Sequence, residues 1–206
     1  MKNQVIAVVA LTSAGALLLA GCSSPSGGSS GHDMGGMAMP SASSTPAAAA
    51  HNAQDVAFAQ GMAMHHLQAI EMADVLLAKK GVDSKVAALA ERIKAEQKPE
   101  IEEMNGWLTS WGQAPVTSSM QMGHDMATMG GGMMSPADMK ALADASGSSA
   151  SSLFLRQMTA HHRGAVVMAR TEVTAGRDPR AVTLARSIVT SQTAQIAEMQ
   201  RLLQQL

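Results

Sequence analysis

The stretch Met62-Ala63-Met64-His65-His66 decides the fold, because the chain writes it a second time as Met158-Thr159-Ala160-His161-His162. The likeness runs outward in register. Phe58 precedes the first copy as Phe154 precedes the second, and Ala69, Met72 and Ala73 follow as Ala165, Met168 and Ala169 do. On a helical wheel Met62, His65, His66, Ala69, Met72, Ala73 and Leu76 share one stripe. Each copy is therefore expected to be a helix whose core-facing seam carries two histidines and two methionines. Met64 falls off that seam and its counterpart is Ala160, so it is left out of the candidate set.

The repetition continues downstream. Val86, Leu89, Ala90, Ile93, Ile101, Met104 and Leu108 form an apolar stripe. Leu184, Ala185, Ile188, Ile196, Met199 and Leu203 reproduce it from Leu89 onward at one constant offset, with Gln97 against Gln192 and Glu103 against Glu198. The turns Gly81-Val82-Asp83 and Gly176-Arg177-Asp178 coincide as well.

Capping residues set the expected bounds. Asn52 caps a first helix that runs to Lys80, with Asp55 in its first turn. Asp83 or Ser84 opens a second that runs to about Trp111, with a kink expected near Ala95 because Pro99 lies inside the pattern. Ser135-Pro136-Ala137-Asp138 starts a short helix that ends near Ala145. A third long helix is expected from about Ser152 to Ala175, and Asp178-Pro179 opens the fourth. The fold class is all-α: two duplicated helical hairpins, 52–112 and 151–206, joined by a long Met-rich crossover, 113–150. Hairpins with one apolar face each bury those faces against each other, which gives a four-helix bundle with ferritin-like connectivity.

The segment before the bundle has its own grammar. Lys2 gives a positive start, Val5 to Leu19 is mostly apolar, and Leu19-Ala20-Gly21-Cys22 closes the run. This resembles the lipobox of bacterial lipoprotein signal peptides, in which the cysteine is lipidated. The competing reading, an uncleaved anchor, suits the run less well, because it is short for a spanning helix. Residues 1–22 are thus read as a signal segment ending in a lipidated Cys22, and the protein as extracytoplasmic and membrane-anchored. Residues 23–51, rich in Ser, Gly, Pro and Ala, are read as a flexible tether reaching on the order of 30 Å.

Composition narrows the chemistry. A net charge of -1 and 2% aromatic residues give no reason to expect nucleic acid. The chain has 18 Met and 1 Cys, so with Cys22 lipidated any soft-metal site must use thioether and imidazole. Thioether sulfur favours Cu(I), and imidazole accepts copper in both oxidation states. The candidate ligands are Met62, His65, His66 and Met72 in the first seam and Met158, His161, His162 and Met168 in the second. Methionine is also ordinary core filler, and a hydrogen-bonded core histidine is common. The duplication favours the metal, because each buried imidazole left unpaired costs roughly 1–3 kcal/mol. Gln97 and Gln192 interrupt the apolar stripes; they either orient the histidines or pair with each other across the core.

Two loop cassettes add donors. Gly-His-Asp-Met occurs at Gly31 to Met34 and again at Gly123 to Met126. The first supplies His32, Met34, Met37 and Met39; the second lies among Met120, Met122, His124, Met126, Met129, Met133 and Met134. They resemble Met-rich copper-binding segments of extracytoplasmic copper proteins, though a low-complexity linker with Met as an oxidant sink reads the same residues. The Glu-x-x-His pairs of di-iron bundles are absent from the sequence.

Phe58-x-x-x-Met62-x-x-His65-His66-x-x-Ala69-x-x-Met72-Ala73 and its second copy from Phe154 to Ala169 resemble the signature of a bacterial family, catalogued as domain of unknown function, family three hundred and five. Gln97-x-x-x-Ile101-x-x-Met104 and Gln192-x-x-x-Ile196-x-x-Met199 fit its pattern too. The resemblance covers Asp55 to Leu206. It implies a ferritin-like helical bundle outside the cytoplasm that binds copper through Met and His, and it adds Met104 and Met199 to the ligand set. One departure stands out: many members enter the second motif through an aspartate, where this chain has Ser151-Ser152-Leu153.

The expected function is a membrane-tethered copper-binding protein, not an enzyme, that buffers Cu(I) or hands it to a transfer partner. Its rivals are a metal-free Met-rich interaction module and, ranked last, a copper-dependent redox enzyme.

Overall fold

The computed structural model describes residues 50–118 and 131–206. The expected signal segment with Cys22, the tether with His32, Met34, Met37 and Met39, and the crossover residues Met120, Met122, His124, Met126 and Met129 lie outside the described residues.

Among the described residues the chain is helical and has no strand. The helices are α1 (Ala53–Leu77), α2 (Ser84–Ser110), α3 (Pro136–Asp144), α4 (Gly147–Ala175) and α5 (Pro179–Leu203). Local chemistry sets most of their starts. Asn52 Oδ1 accepts from the Gln54 and Asp55 amides, and the Asp55 carboxylate accepts in return from the Asn52 amide at 2.6 Å, a reciprocal capping box. Ser135 and Asp138 build the same box on α3. Asp83 caps α2, and Asp178 caps α5 with Pro179 at its first position.

Two boundaries differ from expectation. The first helix stops at Leu77, ahead of Lys79 and Lys80, and the chain turns through Gly81 at φ +73°. As expected, α2 runs through Pro99 to Ser110, although the Ala95 carbonyl loses its helical donor. Helix α4 starts at Gly147, earlier than Ser152, with no side-chain cap from Ser146. Its added turn is held by tertiary contact instead: Gly147 packs beside Gly81, and Ala150 and Ser151 are fully buried.

α1 pairs with α2 and α4 with α5, so each copy of the repeat is a hairpin; α1 packs on α4, and α3 contacts both of these. The hairpins hold each other's turns. Asp55 Oδ1, at the start of α1, accepts the backbone N–H of Arg177 and of Asp178, both at 2.9 Å. Ser151 Oγ, at the start of α4, accepts the backbone N–H of Asp83 at 3.0 Å. Ser151 thus fills the aspartate's place with a neutral acceptor.

The apolar interior falls into two clusters. One gathers Met72, Leu76, Leu89, Ile93, Phe154, Met158 and Met199. The other gathers Phe58, Met62, Met104, Leu108, Ala165 and Ile188, with Met168 packed against it. Along each long helix the two clusters are separated by polar residues, so a polar layer crosses the middle of the bundle.

Candidate metal centre

The layer is built where each helix passes from one apolar cluster to the other. α1 contributes His65 and His66, and α4 contributes His161 and His162; all four side chains have zero exposure. α2 brings Gln97 and Glu100, and α5 brings Gln192 and Gln195. The rings of His65 and His161 meet across the hairpins with centroids 3.6 Å apart and planes tilted by 35°. The seam histidines of the two repeats therefore do converge.

Hydrogen bonds fix three of the rings. His65 Nε2 contacts the Gly131 carbonyl at 2.9 Å, His66 Nε2 the Glu100 carboxylate at 2.5 Å, and His162 Nε2 the Gln195 Oε1 at 2.7 Å. Gln195 in turn donates from Nε2 to Glu96 at 2.6 Å, which sets its amide orientation. Each partner atom is an acceptor, so each Nε2 carries a proton, and in a neutral ring the lone pair stays on Nδ1. Those three Nδ1 atoms, and both ring nitrogens of His161, are buried with no hydrogen-bond partner among the described residues.

Burial also keeps three of the imidazoles neutral. Loss of water, reinforced by His66 and His162, pushes His65 down to about 3. His162 falls to about 4 from burial and the nearby His66, against the Gln195 hydrogen bond that opposes the shift. His161 is driven well below the usual histidine range by burial and by its three histidine neighbours. A neutral imidazole with a free lone pair needs no deprotonation before it binds metal.

The thioethers divide evenly. Met62, Met104 and Met168 lie on one side of the layer and Met72, Met158 and Met199 on the other. All are fully buried except the half-buried Met168. The arrangement is not a finished cage: among the described residues no three His, Cys, Asp or Glu side chains stand as a ready metal site. The His65 and His161 rings lie face to face with a 35° tilt, so coordination requires ring movement or thioether donors.

Other expectations need correction. Gln97 and Gln192 neither pair with each other nor orient the histidines: both amide atoms of Gln97 and the Oε1 of Gln192 lack partners among the described residues. Glu100 and Gln195 hold the histidines instead. Their signal was in the chain, since they align at the offset of Gln97 and Gln192, one turn further on. Met64, expected off the seam, is buried in the Met62 cluster. Met134 is no loose loop donor. It is 8% exposed and packed in the core, with its backbone held by Gln68, while Met133 beside it is half-buried.

Fold and site together define a class: an all-helical protein that gathers neutral imidazoles and thioethers in its interior. The chain belongs to the family described as domain of unknown function DUF305, whose model matches residues 55–203. It is similar to a DUF305 fragment from Deinococcus radiodurans, with 31% identity and a TM-score of 0.67, over 76% of this chain and 99% of that one. It is also similar to a putative secreted DUF305 protein from Streptomyces coelicolor, with 35% identity and a TM-score of 0.66, over 74% and 93% of the two chains. A third similar structure is CopM in its Cu(II)-bound form, with 35% identity and a TM-score of 0.61, over 73% and 96%. CopM has also been solved in Cu(I)-bound, Ag-bound and apo forms. No curated protein matches the chain.

Proposed function

We propose that this protein is an extracytoplasmic copper-binding protein, tethered to a membrane by a lipid on Cys22, that buffers Cu(I) or hands it on within a ferritin-like four-helix bundle. One observation carries the reading: four fully buried imidazoles share a layer in which five ring nitrogens have no partner among the described residues, with three thioethers on each side. Each unpaired buried polar atom costs roughly 1–3 kcal/mol, so a fold that keeps five has a use for them. A soft cation bound by Nδ1 and Sδ would offset that cost. The likeness to CopM, solved with copper and silver, supports the same chemistry. The likeness to a secreted relative supports the extracytoplasmic setting, and no described helix is long and apolar enough to cross a membrane.

The ligands in this reading are His65, His66, His161 and His162, with Met62, Met104 and Met168 from one side and Met72, Met158 and Met199 from the other. The cassette methionines other than Met134 capture ions first and pass them to the histidine layer. The protein supplies donors and catalyses no reaction.

Competition between the protein and a Cu(I) chelator tests this. The protein with all four histidines changed to alanine is expected to lose the tightest-held copper. Equal affinity and stoichiometry in that variant would remove copper from the histidine layer.

A further inference from the structure

The histidine layer is closed on one side by backbone, the strap Gly131–Met134. Its far end is clamped at two points: Gln68 Nε2 donates to the Met134 carbonyl at 2.9 Å, and Gln68 Oε1 accepts from the Met134 amide at 2.7 Å. The Met134 side chain anchors the same end in the core beside Leu142 and Phe154. The near end is two glycines at φ +78°, a conformation that side chains rarely adopt. They lie flush on α4. A Cβ on Gly132 would come within 2.7 Å of the Ala160 carbonyl oxygen, and one on Gly164 would overlap the Gly131 carbonyl. The Sδ of Met168 abuts Gly131 as well. From this seat the Gly131 carbonyl reaches α1 and takes the Nε2 proton of His65.

We propose that this strap is the gate of the histidine layer: seated on Gly164 and clamped by Gln68, it holds His65 stacked on His161, and Cu(I) enters only when it lifts. This rests on the copper reading above. While Gly131 holds Nε2, the ring cannot swing off His161 to turn its lone pair toward a metal. Lifting the strap breaks that bond, exposes Met168 at the mouth and frees His65, while the long helices stay packed. Among the described residues the attachments are three hydrogen bonds and one buried side chain, few enough for local opening without global unfolding.

The test uses the full chain and Cu(I) alone in anaerobic buffer. Hydrogen exchange at the Met134 amide reports the strap, and histidine ring resonances report the layer. Saturating Cu(I) is expected to shift the histidine resonances and to speed Met134 exchange. Two variants loosen the strap by different means: Gln68→Ala removes the clamp, and Gly164→Ala fills its seat while improving the helix propensity of α4. Both are expected to take up Cu(I) roughly tenfold faster with unchanged final stoichiometry. Histidine shifts without any change at Met134, or wild-type uptake rates in either variant, would overturn the gate and leave the copper reading intact. Histidine resonances that ignore Cu(I) would overturn both.

Discussion

Glu172 occupies the position that Leu76 holds in the first repeat, and both are fully buried. The carboxyl faces Asp55 and the Gln54 side chain, and neither of its oxygens reaches a partner within hydrogen-bond geometry among the described residues. Two carboxylates have no hydrogen to share, so the contact becomes a bond only when one is protonated. Burial first, then the bond to Asp55, pushes Glu172 up to about 8. Asp55 moves the other way: burial would raise it, but Glu172 and the amides of Asn52, Asp178 and Arg177 hold it below the usual carboxylate range. At neutral pH the proton sits on Glu172 and the charge on Asp55. The native state thus binds a proton that the unfolded chain releases above the ordinary value of 4.5. The contribution of Glu172 is full below that value and fades as pH rises through about 8. Asp55 has the opposite sign, and its contribution is lost as pH falls through its lowered value. Glu172→Gln keeps a donor toward Asp55 with nothing to ionise. Thermal unfolding followed from about pH 6 to about pH 9 should destabilise the wild type relative to this variant. Parallel curves would show that Glu172 is not the group responsible.

The starts of α1 and α4 do equivalent jobs with unequal chemistry. Asp55 accepts three backbone N–H groups, from Asn52, Arg177 and Asp178. Ser151 accepts one, from Asp83. Charge-assisted bonds are the stronger kind, so Asp55→Ala should cost about 3 kcal/mol and Ser151→Ala about 1 kcal/mol in denaturant unfolding. Comparable losses would mean that the charge on Asp55 adds nothing. These contacts also explain what could be read in advance. The starts of α1, α2, α3 and α5 were legible because Asn52, Asp83, Ser135 and Asp178 act within their own turn. The start of α4 was not, because its first turn leans on Gly81, far away in sequence. The same reason hid the strap, whose bonds join residues 66 positions apart.

The doubled pattern made the two hairpins and the burial of the histidines legible, since one period placed Met, His and Ala on one stripe in both copies. It did not show how the rings settle their polar atoms, which depends on Glu100, Gln195 and Gly131 arriving from other elements. If the native fold alone binds Cu(I), the whole molecule should gain about 2.7 kcal/mol of stability at a free metal concentration a hundredfold above Kd. Thermal unfolding with and without Cu(I) measures this, and an unmoved midpoint would show that the native fold gains nothing from the metal.

The exchange of acceptors at the turns reaches further. A lone hairpin would present its turn amides to an acceptor that only a second hairpin supplies. A chain with one hairpin of this design would leave those amides without their acceptor until it met a second copy. Leu76 against Glu172 and Glu100 against Gln195 are where the two halves, joined in one chain, carry different chemistry at matching places.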